Sequence, residues 1–225
     1  MKKTVLVFLT AVLPLLAWAD SGDVFTAKTI EGIEMKFKVI DAEQKLCEVY
    51  AISTETLGDV TIPENAKGYK VVRIEDMAFF NCYRISSVFI PESITTIGEA
   101  AFSCCSNLTS VNIPRLTTSI GQSAFCLCSS LTSITIPELV TSIEQSTFYE
   151  CSSLSSVTIL GSIETIGETA FTRCFALSAI SLPITVRSIG VYAFGGCNNL
   201  KEVTMDGVLF IRDAFGGCSA LMSIS

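Results

Sequence analysis

Apolar and polar positions recur along the chain with a nearly constant period. The period is 23 residues over five intervals and 21 over the next, and it is marked by Phe79, Phe102, Phe125, Phe148, Phe171, Phe194 and Phe215. An apolar residue follows six positions after each phenylalanine, and then comes the alternating apolar pattern V-x-I. Such alternation is typical of a strand with one buried face. A repeat period in the twenties is typical of a leucine-rich-repeat solenoid.

The positions after each V-x-I pattern predict how a strand ends and how the chain returns. Proline usually stops the strand, an apolar pair such as Ile94 with Ile97 follows, and glycine then comes where the chain must turn, as at Gly98. We predict a right-handed solenoid over residues 57–225, of about seven coils with the last incomplete and a mostly irregular or short-strand return side. The predicted parallel sheet contains Val88–Ile90, Val111–Ile113, Ile134–Ile136, Val157–Ile159 and Ile180–Leu182.

The segment before the solenoid has a different pattern. Apolar residues alternate from Ile33 to Val39, and a second apolar stretch begins at Leu46 after a polar loop. This arrangement predicts a β-hairpin. We interpret residues 20–56 as an N-terminal cap over the first coil.

Residues 1–19 have the features of a secretory signal peptide. Lys2 and Lys3 precede an apolar run that Pro14 interrupts, and Ala17-Trp18-Ala19 forms a small-x-small cleavage site. The alternative is a retained membrane anchor, which Pro14 and the cleavage site disfavour. No later run approaches the ~20 apolar residues of a membrane span. We therefore expect an exported chain that is secreted, periplasmic or at the cell surface.

The repeated block resembles a known family of bacterial proteins. Residues 97–114, IGEAAFSCCSNLTSVNIP, carry the pattern of the BspA-like leucine-rich-repeat surface proteins, and the resemblance covers about residues 57–225. Departures are small: Leu160 and Asp206 replace proline, Glu144 replaces glycine, and Thr147 replaces alanine. The resemblance implies secretion or surface display and adhesion to host or matrix proteins or to other cells. It supplies no catalytic motif.

Charge limits the classes of partner. The formal net charge is −7, and removing residues 1–19, which include two lysines and no acid, leaves 22 acidic against 13 basic residues. Nucleic-acid binding needs a basic face that neutralises phosphates, so we expect no nucleic-acid partner. An unidentified extracellular or surface protein, or a matrix component, is the expected partner.

The ten cysteines are expected to be structural. Seven follow the phenylalanines by three positions, at Cys82, Cys105, Cys128, Cys151, Cys174, Cys197 and Cys218. Neighbours in such a column lie about 4.8 Å apart with parallel side chains, farther apart than the Cβ atoms of a disulfide. We interpret them as buried fillers, with no metal bound, and we expect Cys47 to lie in the core. Cys104 and Cys126 lie outside the column, and their state stays open.

Catalysis is not expected. The chain has no histidine, the base that most often activates a nucleophile. No phosphate or dinucleotide fingerprint occurs, so no cofactor is predicted. Turn geometry explains the pairs Gly195-Gly196 and Gly216-Gly217. Surface exposure explains the acidic residues Glu99, Glu144 and Glu168.

The outward positions of the predicted strands form the candidate binding face. This face is small, polar and nearly uncharged, and only Phe89 resembles a binding hot spot. A plain strand surface without a ligand is the alternative. The candidate residues are Ser87, Phe89, Ser110, Asn112, Ser133, Thr135, Ser156, Thr158, Ser181, Glu202 and Thr204.

Two functions follow as expectations. The first is an exported, non-catalytic interaction or adhesion scaffold. The second is a structural spacer or envelope component without a specific ligand, either by itself or as a fragment of a longer repeat protein. The sequence stops at Ser225 within a predicted strand, so we also expect either a natural continuation or self-association through the uncapped last coil.

Overall fold

The computed structural model describes residues 20–225. The predicted signal peptide, residues 1–19, lies outside the described residues. The described part consists of nineteen strands, joined by turns and irregular segments, and contains no helix.

Eight strands form a parallel ladder on one side of the solenoid, which we call the strand face. They are β4 (Gly58–Thr61), β7 (Ile85–Phe89), β9 (Ser110–Val111), β11 (Ser133–Ile136), β13 (Ser156–Ile159), β15 (Ala179–Ser181), β17 (Glu202–Thr204) and β19 (Ser223–Ile224). The predicted strands are confirmed to within three residues at every end, and the ends at Ile136 and Ile159 agree. Regular pairing joins β4, β7 and β9, then β11 and β13, and then β15, β17 and β19. Partners are equivalent residues, as in Ile134 opposite Val157.

A second parallel ladder forms the return side. Its strands are β6 (Tyr69–Ile74), β8 (Thr96–Ile97), β10 (Ser119–Ile120), β12 (Ser142–Ile143), β14 (Thr165–Ile166), β16 (Ser188–Ile189) and β18 (Phe210–Ile211). In most coils a hydroxyl residue faces outward and an isoleucine inward, so each strand needs only two residues to fix its register. The return side is therefore strand-like but short, and regular pairing joins β6, β8 and β10 and then β12, β14, β16 and β18.

Three antiparallel strands precede the solenoid. They are β1 (Val24–Lys28), β2 (Glu34–Asp41) and β3 (Leu46–Ile52), and β5 (Asn65–Ala66) pairs with β6. The antiparallel pairing of β2 with β3 matches the predicted hairpin, whereas β1 was not predicted. Strand β3 also pairs in parallel with β6, so the hairpin continues directly into the return ladder. Its role as a cap stays a prediction.

Each coil turns sharply around its phenylalanine. The residues two before and two after it adopt left-handed backbone conformations, as at Ala100 (φ 50°) and Cys104 (φ 64°). The N–H groups of both residues, and of Phe102 between them, donate to carbonyls of the next coil at 2.8–2.9 Å. These bonds offset a backbone strain of roughly 1–3 kcal/mol at each non-glycine position. Gly196 and Gly217 also have positive φ, in keeping with the turn geometry predicted for the glycine pairs.

The glycines of the return path have a different physical role from the one predicted. Gly98, Gly121, Gly167 and Gly190 do not have positive φ, so the turn itself does not require glycine. Instead, a Cβ on Gly167 would lie 2.5 Å from the backbone nitrogen of Gln145 in the preceding coil. Glycine is needed because two backbones approach each other there.

The phenylalanine column forms a continuous stack through the core. Successive ring centroids from Phe79 to Phe215 lie 4.8–5.7 Å apart, with interplanar angles of 4–22°. The rings of Phe79 through Phe194 are fully buried, whereas Phe215 is half-buried. The prediction of a buried column is thus confirmed except in the last described coil. Parallel ring stacking requires that every coil keep the same register.

Replacing Gly167 by alanine should destabilise the fold, because the new Cβ would meet the backbone of Gln145. Overpacking of this kind costs about 1–3 kcal/mol. Urea unfolding followed by circular dichroism measures the change. Glu144→Ala is the control, because this position of the column already carries a side chain. An unchanged unfolding midpoint for Gly167→Ala would contradict the close-approach explanation.

Replacing Phe125 by alanine should reduce the free energy of unfolding by about 3–5 kcal/mol, because the variant leaves a cavity in the buried stack. Phe125→Leu should cost less, since it retains most of the side-chain volume. Thermal and urea unfolding measure both variants. Phe89→Ala removes an exposed ring and should have little effect. Equal losses at Phe89 and Phe125 would contradict the importance of the stack.

Candidate functional site

The strand face presents most of the predicted binding residues to solvent. Exposed there are Phe89, Ser110, Ser133, Thr135, Ser156, Thr158, Ala179, Ser181, Glu202 and Thr204. The alternation of each strand places these side chains outward, while its isoleucines and valines pack inward. Ser87 and Asn112 are half-buried. The face is a shallow surface rather than an enclosed cleft.

Asn112 differs from the other candidate residues because its side-chain amide is already in use. Its Oδ1 accepts from the N–H of Ile90 and its Nδ2 donates to the carbonyl of Ile90, both at 2.8 Å. Strand β9 is only two residues long, and its pairing with β7 ends at Val111. The amide of Asn112 therefore satisfies backbone groups beyond the end of that pairing. A ligand would have to displace these bonds to use Asn112.

The N-terminal end of the strand face is more acidic than the sequence predicted. The carboxylate of Asp59 accepts hydrogen bonds from Ser87 at 2.6 Å and Ser86 at 2.9 Å, and these bonds lower the pKa of Asp59. Glu31, from the turn between β1 and β2, accepts from Thr61 of β4. Hydrogen bonds from Thr29 and Thr61 lower the pKa of Glu31. Two ionised carboxylates therefore lie near Phe89, which is 57% exposed.

A second candidate surface was missed in the sequence. It is a shallow groove along the turns that follow the phenylalanine column, and we call it the turn groove. Tyr83 and Phe175, 43% and 42% exposed, lie at its ends. Between them the same column position is occupied by Ser106, Ser129 and Ser152. The aromatic residues are four coil spacings apart, about 19 Å, and the small serines leave the depression between them.

An ion pair lies on the edge of the turn groove. Arg173 Nη1 is 2.6 Å from Glu150 Oε1, one coil away, and this hydrogen bond raises the pKa of Arg173. A hydrogen bond to Glu150 also raises the pKa of Tyr149. The groove therefore combines exposed aromatic rings, hydroxyl groups and one paired charge of each sign.

The column cysteines do more than fill space. From Cys105 to Cys218, each Sγ lies 3.0–3.2 Å from the carbonyl of the phenylalanine in the preceding coil. Six of the seven are fully buried, and Cys218 is half-buried. Burial raises the pKa of the Cys82 thiol to about 11 and that of Cys197 to about 12. Within residues 20–225, no group of cysteine and acidic side chains is arranged to hold a metal ion.

The stacked parallel strands and the coil spacing define a leucine-rich-repeat solenoid. The chain belongs to the BspA type leucine rich repeat family, whose model matches six copies over residues 45–178 and 118–225. No protein with a curated description matches the chain. The described residues contain no helix that is long and apolar enough to cross a bilayer.

Solved structures of bacterial proteins share the fold. A leucine rich cell surface protein from Faecalibacterium prausnitzii A2-165 is 31% identical with a TM-score of 0.58, and the match covers 81% of this chain and 55% of that protein. The leucine rich repeat protein of T. pallidum is 23% identical over 89% of this chain and 78% of its own, with a TM-score of 0.54. The pneumococcal vaccine antigen PcpA is 17% identical over 92% and 71%, with a TM-score of 0.57. The chain therefore spans about half of the Faecalibacterium protein.

The six fully buried column thiols should not react in the folded protein, because burial removes both access and thiolate character. A thiol-specific chromogenic disulfide should label them only after denaturation. The protein is prepared with a reductant, and the rapidly reacting thiols are then counted in the native and in the denatured state. Rapid native labelling of Cys128 or Cys151, located by peptide mapping, would contradict the burial of the column.

Proposed function

We propose that this chain is an exported, non-catalytic interaction scaffold whose strand face contacts an extracellular or surface protein or a matrix component. The observation that carries the proposal is the exposed strand face, whose eight strands hold outward side chains in fixed register. Family membership supports it, because leucine-rich-repeat solenoids are generally scaffolds. The similar Faecalibacterium protein is described as a cell surface protein.

The dimensions of the face suit a macromolecular ligand. Seven strand spacings of about 4.8 Å give a length of about 34 Å, close to the diameter of about 32 Å of a round patch of about 800 Å², the area that one partner buries in a standard interface. Phe89 offers an aromatic anchor, and the serines and threonines offer donors and acceptors. Because few side chains are large, each contact should be weak, and binding should depend on many of them together.

Asp59 and Glu31 add a charge preference at the N-terminal end. Their ionised carboxylates favour a ligand with basic groups opposite Phe89. Binding through this end should weaken as salt rises, because exposed charges are screened. Binding centred on the neutral coils around Ser133 should depend little on salt.

A structural spacer without a specific ligand is the second candidate function. The observation that favours it is the side-chain chemistry of the strand face, which is mostly Ser and Thr, with the amide of Asn112 already paired. A rigid stack with a plain surface would serve as a stalk or envelope component. The two functions differ in one measurable property, saturable binding by the isolated chain.

The test uses residues 20–225 and immobilised extracellular matrix proteins and host-cell surface extracts, with binding followed by biosensor. The scaffold function predicts saturable binding that Ser133→Arg with Thr135→Arg weakens at least tenfold, because two bulky charges block the face. Ser119→Arg with Thr165→Arg is the matched control, since both residues are exposed on the return ladder.

The outcomes of this experiment distinguish binding at the strand face from binding at the turn groove and from the absence of a ligand. Full binding by the Ser133→Arg/Thr135→Arg variant, with loss in Tyr83→Ala/Phe175→Ala, would move the site to the turn groove. No saturable binding to any component, by a folded protein, would favour the spacer. Circular dichroism of each variant confirms that the fold is retained.

A further inference from the structure

Two cysteines outside the column lie in successive coils beside the turn groove. Cys104 is two residues after Phe102, and Cys126 is one residue after Phe125. Both are half-buried, unlike the fully buried column cysteines around them. The N–H of Cys104 donates to the carbonyl oxygen of Cys126 at 2.8 Å. A backbone hydrogen bond thus joins the two residues directly.

This bond limits the distance between the two Cα atoms. The path between them runs from the Cα of Cys104 to its nitrogen (about 1.46 Å), across the hydrogen bond, and from the carbonyl oxygen of Cys126 to its Cα (about 2.4 Å). The two Cα atoms can therefore be no more than about 6.7 Å apart. Disulfides join residues whose Cα atoms are about 4.4–6.8 Å apart. The backbone around Cys104 and Cys126 therefore satisfies the first geometric requirement of a disulfide.

The side chains meet at a shared neighbour. The hydroxyl of Ser103 lies 3.7 Å from Cys104 Sγ. The same hydroxyl interacts with the thiol of Cys126. Both sulfur atoms thus lie around one small hydroxyl group.

The column cysteines provide an internal contrast. The Sγ atoms of Cys105 and Cys128 each donate to a phenylalanine carbonyl of the preceding coil at 3.1 Å. Cys105 and Cys128, in the same two coils, are fully buried. An oxidant in solution can reach Cys104, which lines the turn groove, but it cannot reach these two.

We propose that Cys104 and Cys126 form a disulfide that links two successive coils at the turn groove, with a small-molecule disulfide as the oxidant. The thiolate of one cysteine attacks the oxidant, forming a mixed disulfide and releasing one small thiol. The thiolate of the other attacks the protein sulfur of that mixed disulfide and releases the second small thiol. Two S–H bonds of the protein are lost, one S–S bond forms, and the two electrons reduce the oxidant.

The reaction should accelerate as pH rises. Burial raises the pKa of Cys126, and the interaction with Ser103 only partly opposes this effect. Cys126 is therefore mostly protonated at neutral pH, whereas the thiolate is the reactive form. The linkage does not depend on the proposed binding function, because it concerns the chemistry of the folded chain alone.

The experiment treats reduced residues 20–225 with oxidised glutathione, blocks the remaining thiols with an alkylating agent under denaturing conditions, and maps tryptic peptides. Cleavage at Arg84, Arg115 and Arg173 places Cys104 in peptide 85–115 and Cys126 in peptide 116–173. We expect these peptides to be joined, with two hydrogen atoms lost and two of the ten cysteines protected from alkylation. The joined species should form several-fold faster at about pH 8.5 than at about pH 7, because the attacking species is the thiolate.

Variants assign the bond. Cys104→Ser and Cys126→Ser should each abolish the joined species, whereas Cys218→Ser, a half-buried column cysteine, should leave it unchanged. Serine is a conservative choice at position 126, because Ser103 already occupies the equivalent position one coil earlier. Circular dichroism verifies folding of each variant. Glutathione adducts without a link, or a link that survives in Cys104→Ser, would overturn the proposal.

Discussion

Every feature of this protein depends on how closely one coil's backbone lies against the next. The coils are joined by hydrogen bonds along the strand face, the return ladder and the turns. Those bonds form only if equivalent residues of successive coils stay in register, so insertions within a repeat are disfavoured. The same closeness excludes a Cβ at Gly121 and Gly167 and brings the phenylalanine rings into contact. Register, glycine placement and core packing are thus consequences of one spacing.

Much of the fold could be predicted because each coil repeats the same environment. A column such as Phe102, Phe125 and Phe148 repeats one burial state several times, and this repetition makes the pattern clear even in a single sequence. Features that occur once were not predictable in this way. Strand β1 has no repeated counterpart, and Glu48, whose side chain is 3% exposed between Lys38 and Arg73, is buried next to an irregularity in the pairing of β3 with β6.

The candidate site was predictable in position but not in chemistry. Alternation identified Ser133 and Thr135 as outward residues, and the structure exposes both. It could not show that Asn112 is bonded to Ile90, or that Glu31 reaches Thr61, because these contacts join different strands. The turn groove did leave a signal, since Tyr83 and Phe175 share one column with small residues between them. Comparing columns for side-chain size, and not only for hydrophobicity, would have found it.

The hydrogen bonds between successive phenylalanine turns all have the same direction. In each of the six steps from the coil of Phe79 to the coil of Phe215, three N–H groups donate toward the later coil, and no N–H at these turn positions donates backward. Peptide dipoles aligned in this way add along an axis, as they do in an α-helix. The column of phenylalanine turns therefore has an electrical polarity of its own, with its positive pole toward the later coils, and the opposite direction of bonds such as Thr118 N–H to the Thr95 carbonyl and Gly121 N–H to the Ile97 carbonyl confines that polarity to this side of the stack.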